Sequence, residues 1–127
     1  MHIDDETRLR HMRDAALEAI EMCRGVERRT LEENRQLELA LVKLVEIIGE
    51  AAYNVSRRRQ AQLPIDFEAI TGMRHRLVHG YFNIDLDILW DTVQNDLPLL
   101  VDRLAFLEND GGGDGSGGST SGGPGRR

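Results

Sequence analysis

The residues Leu37, Leu41, Leu44, Ile48, Ala51 and Val55 recur in steps of four, three, four, three and four. That is the heptad spacing of one helix face laid against other helices. A strand repeats every two residues and would scatter the same side chains over both of its faces. A second row, Leu39, Val42 and Val45, widens the stripe. This helix is therefore expected to meet both its own core and a partner.

The rest of the chain follows the same period. A first helix is predicted from about Asp4 to Arg24, with Leu9, Met12, Ala16, Ala19 or Ile20, and Cys23 on one stripe. Asp4, Asp5 and Glu6 in its first turn suit the positive end of the helix dipole, and Gly25 is its expected stop. The heptad helix is expected to open at Thr30-Leu-Glu-Glu33, which has capping-box spacing, and to end in the basic run Arg57–Arg59. Pro64 opens a third segment with Phe67, Ile70, Met73 and Leu77 inward, interrupted at Gly80. A last helix starts near Asp85 or Asp87 and carries Leu86, Leu89, Trp90, Val93, Leu97, Leu100, Leu104 and Leu107. Pro98 within it removes a backbone donor and is expected to kink it. Four helices with short connections predict an all-α protein, an antiparallel four-helix bundle.

Nine of the thirteen glycines fall in the run that begins at Asn109, NDGGGDGSGGSTSGGPGRR. It holds no apolar residue able to join a core, so it cannot offset its own ordering entropy. The expected organisation is one folded domain over 1–108 and a flexible Gly/Ser-rich tail over 109–127. The single cysteine, Cys23, excludes an internal disulfide and a cysteine-based zinc site. The opening MHIDDETRLRHMRD has no apolar core of a signal peptide, and no apolar run is long enough to span a bilayer. Both absences lead to the expectation of a cytoplasmic protein that does not enter a membrane. A net charge of -6 argues against a protein that coats DNA, which needs many cations on one face. The cations are instead gathered in Arg57–Arg59 and in Arg74-His75-Arg76. Either cluster has the plain alternative of a solvated helix face.

The segment Gly72-Met-Arg-His-Arg-Leu-Val-His-Gly-Tyr-Phe-Asn-Ile-Asp85 concentrates Arg74, His75, Arg76, His79 and Tyr81 within eight residues. On an ideal helix Arg74 and His79 point about 140° apart. They can converge on one ligand only if the helix unwinds near Gly80, or if a second copy of the chain completes the site. The residue types suit RNA hydrolysis without a metal. RNA carries its own nucleophile, the 2′-hydroxyl. A histidine can exchange protons near neutral pH, and an arginine stays charged and forks onto two phosphate oxygens. Tyr81 can orient the phosphate or stack on a base.

Here the sequence resembles a family. Arg74-His-Arg-Leu-Val-His79-Gly-Tyr81 matches the Arg-x4-His-x-Tyr signature of HEPN-domain proteins, specifically the HepT-like ribonuclease toxins. Ile48-Gly-Glu-Ala51, Met73 before the arginine, Phe82-x-Ile-Asp85 after the tyrosine and the Leu97-Pro98-Leu99 step resemble the family as well. The resemblance implies a helical bundle whose homodimer brings two such motifs to one cleft. It implies metal-independent endoribonuclease activity with RNA as substrate, no cofactor, and toxicity to the host cell. It further implies a minimal nucleotidyltransferase antitoxin that silences the toxin by attaching AMP to the motif tyrosine. Carried over, Arg74 and His79 are catalytic, Tyr81 is the modification site, and His75, Arg76 and Tyr81 support catalysis or bind substrate. One departure stands out: the family usually has asparagine after the arginine, where this chain has His75.

Plainer readings stand beside these. Arg74 and His79 can form a structural hydrogen-bonded pair, in a non-catalytic module that binds a nucleotide or a partner protein through the same pocket. The Leu37–Val55 seam alone would also suit a dimeric scaffold. His75 and His79 have the spacing of a two-histidine metal site, with Asp85 or Asp87 as candidates for a third ligand, but neither a third nor a fourth ligand has a set place, so no metal is assigned. Glu50 is a candidate to orient the Arg74 region, or an ordinary surface glutamate. Trp90 reads as core or dimer interface, and His2 and His11 belong to no constellation.

Overall fold

The computed structural model describes residues 3–80 and 83–107. The tail expected over 109–127, His2 of the N-terminus, and Tyr81 and Phe82 of the motif segment lie outside the described residues.

Asp4 caps the first helix, α1 (Asp5–Met22), by accepting from the Thr7 amide at 2.8 Å. Its side chain satisfies one of the amides that a helix start leaves without a partner. Gly25 ends the turn after α1 at φ 74°, a left-handed conformation in which it costs little. Leu9, Met12, Ala16, Ala19 and Cys23 are all buried, as the stripe predicted.

The second expected helix is broken. A short helix α2 (Arg28–Glu33) is followed by α3 (Arg35–Tyr53). Thr30 therefore lies inside α2 and caps nothing. Asn34 adopts an extended backbone and its side chain accepts from the Leu37 amide at 3.0 Å, which starts a fresh helix there. All six residues of the heptad seam are buried nonetheless, including Val55 just beyond the end of α3. Of the second row, Val45 is buried and Leu39 is 46% exposed.

After α3 the chain breaks again, and Ser56 caps the one-turn helix α4 (Arg57–Gln60). The basic run thus begins a turn of its own. Arg59 pairs with Glu6 of α1 at 2.8 Å and lies over the Phe106 ring, so it clamps three parts of the chain. Asp66 caps α5 (Phe67–Thr71), and Gly72 separates it from α6 (Met73–Leu77). Phe67, Met73 and Leu77 point into the core, as read from the sequence.

A two-stranded antiparallel pair follows, β1 (Val78–His79) with β2 (Asn83–Ile84), in the register Val78–Ile84 and His79–Asn83. Asp85 then caps α7 (Leu86–Asp91) through the Ile88 amide. Asp87, the alternative cap, is held instead by Arg28 at 2.7 Å, which ties α2 to α7. The chain widens into a π-helical turn (Thr92–Asp96) and continues as α8 (Leu97–Arg103), with Pro98 in its first turn. Proline lacks the amide that would continue an α-helical ladder, and the wider turn ahead of it absorbs that loss.

The main packing is α1 on α3, with α8 against α1 and with α5 and α6 against α3. Their apolar faces form one core. The all-α bundle expected from the heptad seam is the fold observed, with its helices more segmented than the period alone implied. No helix among the described residues is long and apolar enough to cross a membrane.

Candidate active site

The segment from Gly72 to Asp85 is anchored by apolar side chains and exposes its polar ones. Met73 and Leu77, four residues apart, occupy the same face of α6 and are 1% and 0% exposed. They hold this short helix against the core while Arg74, His75 and Arg76 face outward. The helix ends at Leu77, earlier than Gly80 would have ended it. Val78 is already extended, at φ -117° and ψ 117°. His79 is thus carried on a strand and is exposed. The unwinding that Arg74 and His79 required to approach one ligand has taken place between them.

Gly80 follows at φ 69°, with nothing within 4 Å of where a Cβ would stand. Its role is therefore conformational: a left-handed residue turns the strand back toward Asn83. The Asp85 amide donates to the Leu77 carbonyl at 2.8 Å, closing the loop at its base.

Arg74 is in an ion pair with Glu46 of α3, its Nε 2.8 Å from the carboxylate. Glu50, the candidate orienting acid that also read as an ordinary surface glutamate, lies one turn further along α3 and takes no part in that pair. Glu50 instead lines a cleft of about 320 Å³ with the charged or titratable side chains of Glu46, Lys43, Arg8 and His11 and with Ile47 and Ala51. His11, which no sequence pattern singled out, therefore stands in the cleft that includes the partner of Arg74. Glu46 was missed as well. It is 28 residues from Arg74, and only the packing of α6 on α3 joins them.

Arg76 goes elsewhere. Its Nη1 donates to the Ala69 carbonyl at 3.2 Å, and it lines a groove with Asp96 and Arg103 on α8 and the turn before it. Two residues apart on a helix means opposite sides, so Arg74 and Arg76 serve different surfaces. The two-histidine spacing likewise presupposed a continuous helix, and His79 lies beyond its end. Asp85 is engaged as a cap and Asp87 by Arg28. Among the described residues no three His, Cys, Asp or Glu side chains gather as metal ligands would. Cys23 is buried in the core, where desolvation pushes its thiol pKa up, the behaviour of an inert structural cysteine.

Arg74 and His79 thus lie exposed on either side of a helix end, the arginine braced by a carboxylate from the neighbouring helix. Residues 12–106 match the family described as Ribonuclease HepT-like. A protein of Thermococcus cleftensis named "Probable ribonuclease HepT" is 33% identical over 77 residues, covering 58% of this chain and 68% of the relative. Two further relatives bear provisional RNase names. One, from Methanocaldococcus jannaschii, is 28% identical over 95 residues, covering 74% of this chain and 87% of its own. The other, from Caldanaerobacter subterraneus, is 31% identical over 86 residues, with 67% and 77% covered. No solved structure matches the chain at a significant level. The chain belongs to the HepT-like ribonuclease family.

Proposed function

We propose that this chain is a metal-independent endoribonuclease, the toxin of a toxin–antitoxin pair, and that its active form is a homodimer. The observation that carries the reading is the placement of Arg74 and His79 on either side of the α6 terminus, both exposed, with Arg74 braced by Glu46. His79 exchanges the proton of the reaction. As base it takes the 2′-O–H proton while that oxygen attacks phosphorus; as acid it returns a proton to the departing 5′-oxygen. The products are a 2′,3′-cyclic phosphate and a free 5′-hydroxyl. Arg74 neutralises charge growing on the phosphorane oxygens. His75, next to Arg74 on the exposed side, assists proton transfer or contacts the strand. In a dimer, a second Arg–His pair would face the same substrate and divide the acid and base roles.

Residues 1–108 form the catalytic unit in this reading. Tyr81, two residues beyond His79, is the site at which a minimal nucleotidyltransferase antitoxin attaches AMP. The adduct would add bulk and negative charge where an RNA phosphate must sit.

The test is cleavage of RNA by the purified protein beside His79→Ala, both in excess EDTA. Loss of a proton-transfer group should slow cleavage by about 10²–10⁴-fold. Equal EDTA-resistant cleavage by both proteins would overturn the reading. No cleavage by either, with Tyr81 shown by mass spectrometry to be unmodified, would favour a binding module of the same fold.

A further inference from the structure

The side of α6 that turns away from Arg74 borders a groove of about 230 Å³. One wall is α5 and α6, with Ile70, Met73 and Arg76. The other is the end of the π-helical turn and α8, with Asp96, Leu99 and, at the far end of the helix, Arg103. The floor and sides are apolar, and Leu99 is 48% exposed beside them. The charged groups stand at the lip: the guanidiniums of Arg76 and Arg103 and the carboxylates of Asp66 and Asp96.

Asp96 is the informative member. Its carboxylate meets no hydrogen-bond donor and no ion pair among the described residues, although it is partly buried. Burial first, and then the charge of Asp91, push its pKa up; the charge of Arg76 works against both. The carboxylate is thus partly withdrawn from water beside a second acid, and its oxygens stay accessible at the edge of the groove. A ligand that brings N–H groups into the groove would meet an open acceptor there. Asp66, the other acid on the rim, is already used as the cap of α5.

The two arginines are only partly engaged. Arg76 gives one N–H to the Ala69 carbonyl, and Arg103 gives one to the Pro64 carbonyl at 2.8 Å. A guanidinium has five N–H donors, so each keeps several for an anion. An apolar slot between two cations, with an acceptor at its lip, fits a flat heterocycle flanked by phosphates. Its volume lies below the roughly 300 Å³ at which sites for drug-sized ligands begin, which favours a single base over a whole dinucleotide.

We propose that this groove receives one unpaired guanine of the RNA substrate, with Asp96 accepting from its N1–H and 2-amino group and with Arg76 and Arg103 on the adjoining phosphates. The proposal rests on the ribonuclease reading. Guanine alone among the four bases offers two adjacent N–H donors that match both oxygens of one carboxylate. Cytosine and adenine present one amino group, and uracil one imino group. The ring packs on Ile70 and Leu99 above the buried Met73, as unstacked bases pack on apolar side chains in single-strand recognition. Helix α6 is only about 7.5 Å long, so one strand can reach from this groove to Arg74. Asp96, Arg76 and Arg103 would then choose where the strand is cut, while Arg74 and His79 cut it.

The test is methyl NMR on full-length His79→Ala protein, titrated with UUGUU, UUAUU, UUCUU and UUUUU. The guanine pentamer should shift the Met73, Ile70 and Leu99 methyl signals saturably and bind at least fivefold more tightly than the others. Asp96→Asn should erase that preference, and Arg103→Ala should weaken all four pentamers alike. Leu99→Glu, at an exposed position, is a second variant that should block the slot with the fold intact. Equal affinity for all four, a guanine preference that survives Asp96→Asn, or shifts confined to other methyl groups would overturn the proposal. Cleavage of the same pentamers by wild-type protein separates the two readings. Cleavage without guanine-dependent shifts removes the groove proposal alone. Guanine-dependent shifts without cleavage, with Tyr81 shown by mass spectrometry to be unmodified, remove the nuclease reading and leave the groove as a binding site.

Discussion

The Nε of Arg74 lies 2.8 Å from Oε2 of Glu46, and this ion pair joins the motif helix α6 to α3. Both side chains are close to half exposed, at 49% and 42%. Such a pair contributes only about 0–1 kcal/mol to folding. Its value lies in direction, since a long flexible arginine is held near one orientation before the phosphate arrives.

Glu46→Gln should therefore separate activity from stability. Cleavage turnover is expected to fall about tenfold, with KM changed little and unfolding free energy changed by less than about 1 kcal/mol. Glu46→Asp should recover part of the loss. Single-turnover kinetics beside a denaturant titration checks this, and an unchanged turnover number would show that Glu46 does not position Arg74.

Gly49 is the close-packing point between α3 and α5. A Cβ there would stand 3.2 Å from the Thr71 carbonyl oxygen, which is backbone and cannot swing aside. Alanine regains about 1 kcal/mol of helix propensity, which roughly offsets the crowding. Gly49→Ala should thus leave the melting temperature nearly unchanged. It should still lower cleavage severalfold, because Thr71 precedes Gly72 and α6. Gly49→Val, with more bulk and poorer propensity, should lower the melting temperature clearly.

Gly80 makes a different demand. Its site is spacious, but φ is 69°, a region that costs an L-residue about 1–2 kcal/mol. Gly80→Ala should destabilise by about that amount, and Gly80→Asn by less. If both variants match wild type in thermal unfolding, the left-handed turn does not exist in solution.

Asp96 sets a pH-dependent contrast. Its folded pKa is raised above the ordinary 3.8, so the folded state holds this proton more tightly than the unfolded chain does. The sign follows: Asp96 weakens the fold at pH values above its raised pKa, and the penalty fades as pH falls through the raised value toward 3.8. Asp96→Asn should be slightly more stable than wild type at pH 7, within about 0.5 kcal/mol for a group only partly buried. The difference should vanish near pH 3. An equal difference at both pH values would contradict the assigned burial of this carboxylate.

The core was legible because burial follows helical period. Leu37, Leu41, Leu44, Ile48, Ala51 and Val55 could be placed together from spacing alone, and each is buried. The breaks were less legible. Thr30-x-x-Glu33 and Asn34 both carry the chemistry of a helix start, and local sequence does not say which wins. Asn34 wins because α3 must begin in register with its buried face. Gly72 also interrupts an apolar pattern that runs through it, from Phe67 to Leu77. The candidate site divided in the same way. Arg74, His75, Arg76 and His79 are local in sequence, so the cluster was visible. Glu46, which pairs with Arg74, and Asp96, which shares a groove with Arg76, lie 28 and 20 residues from those arginines, and no period connects them.

The sequence by itself determined the all-α class, the buried face of each long helix and the segment that carries the reactive side chains. These depend on periodicity and residue type, both local properties. Tertiary structure alone decided that α6 ends at Leu77, that His79 sits on a strand, that Glu46 rather than Glu50 meets Arg74, and that Arg76 faces away toward Asp96. Each of these depends on how two helices cross. That crossing is set by the whole core packing at once, and no stretch of sequence holds it.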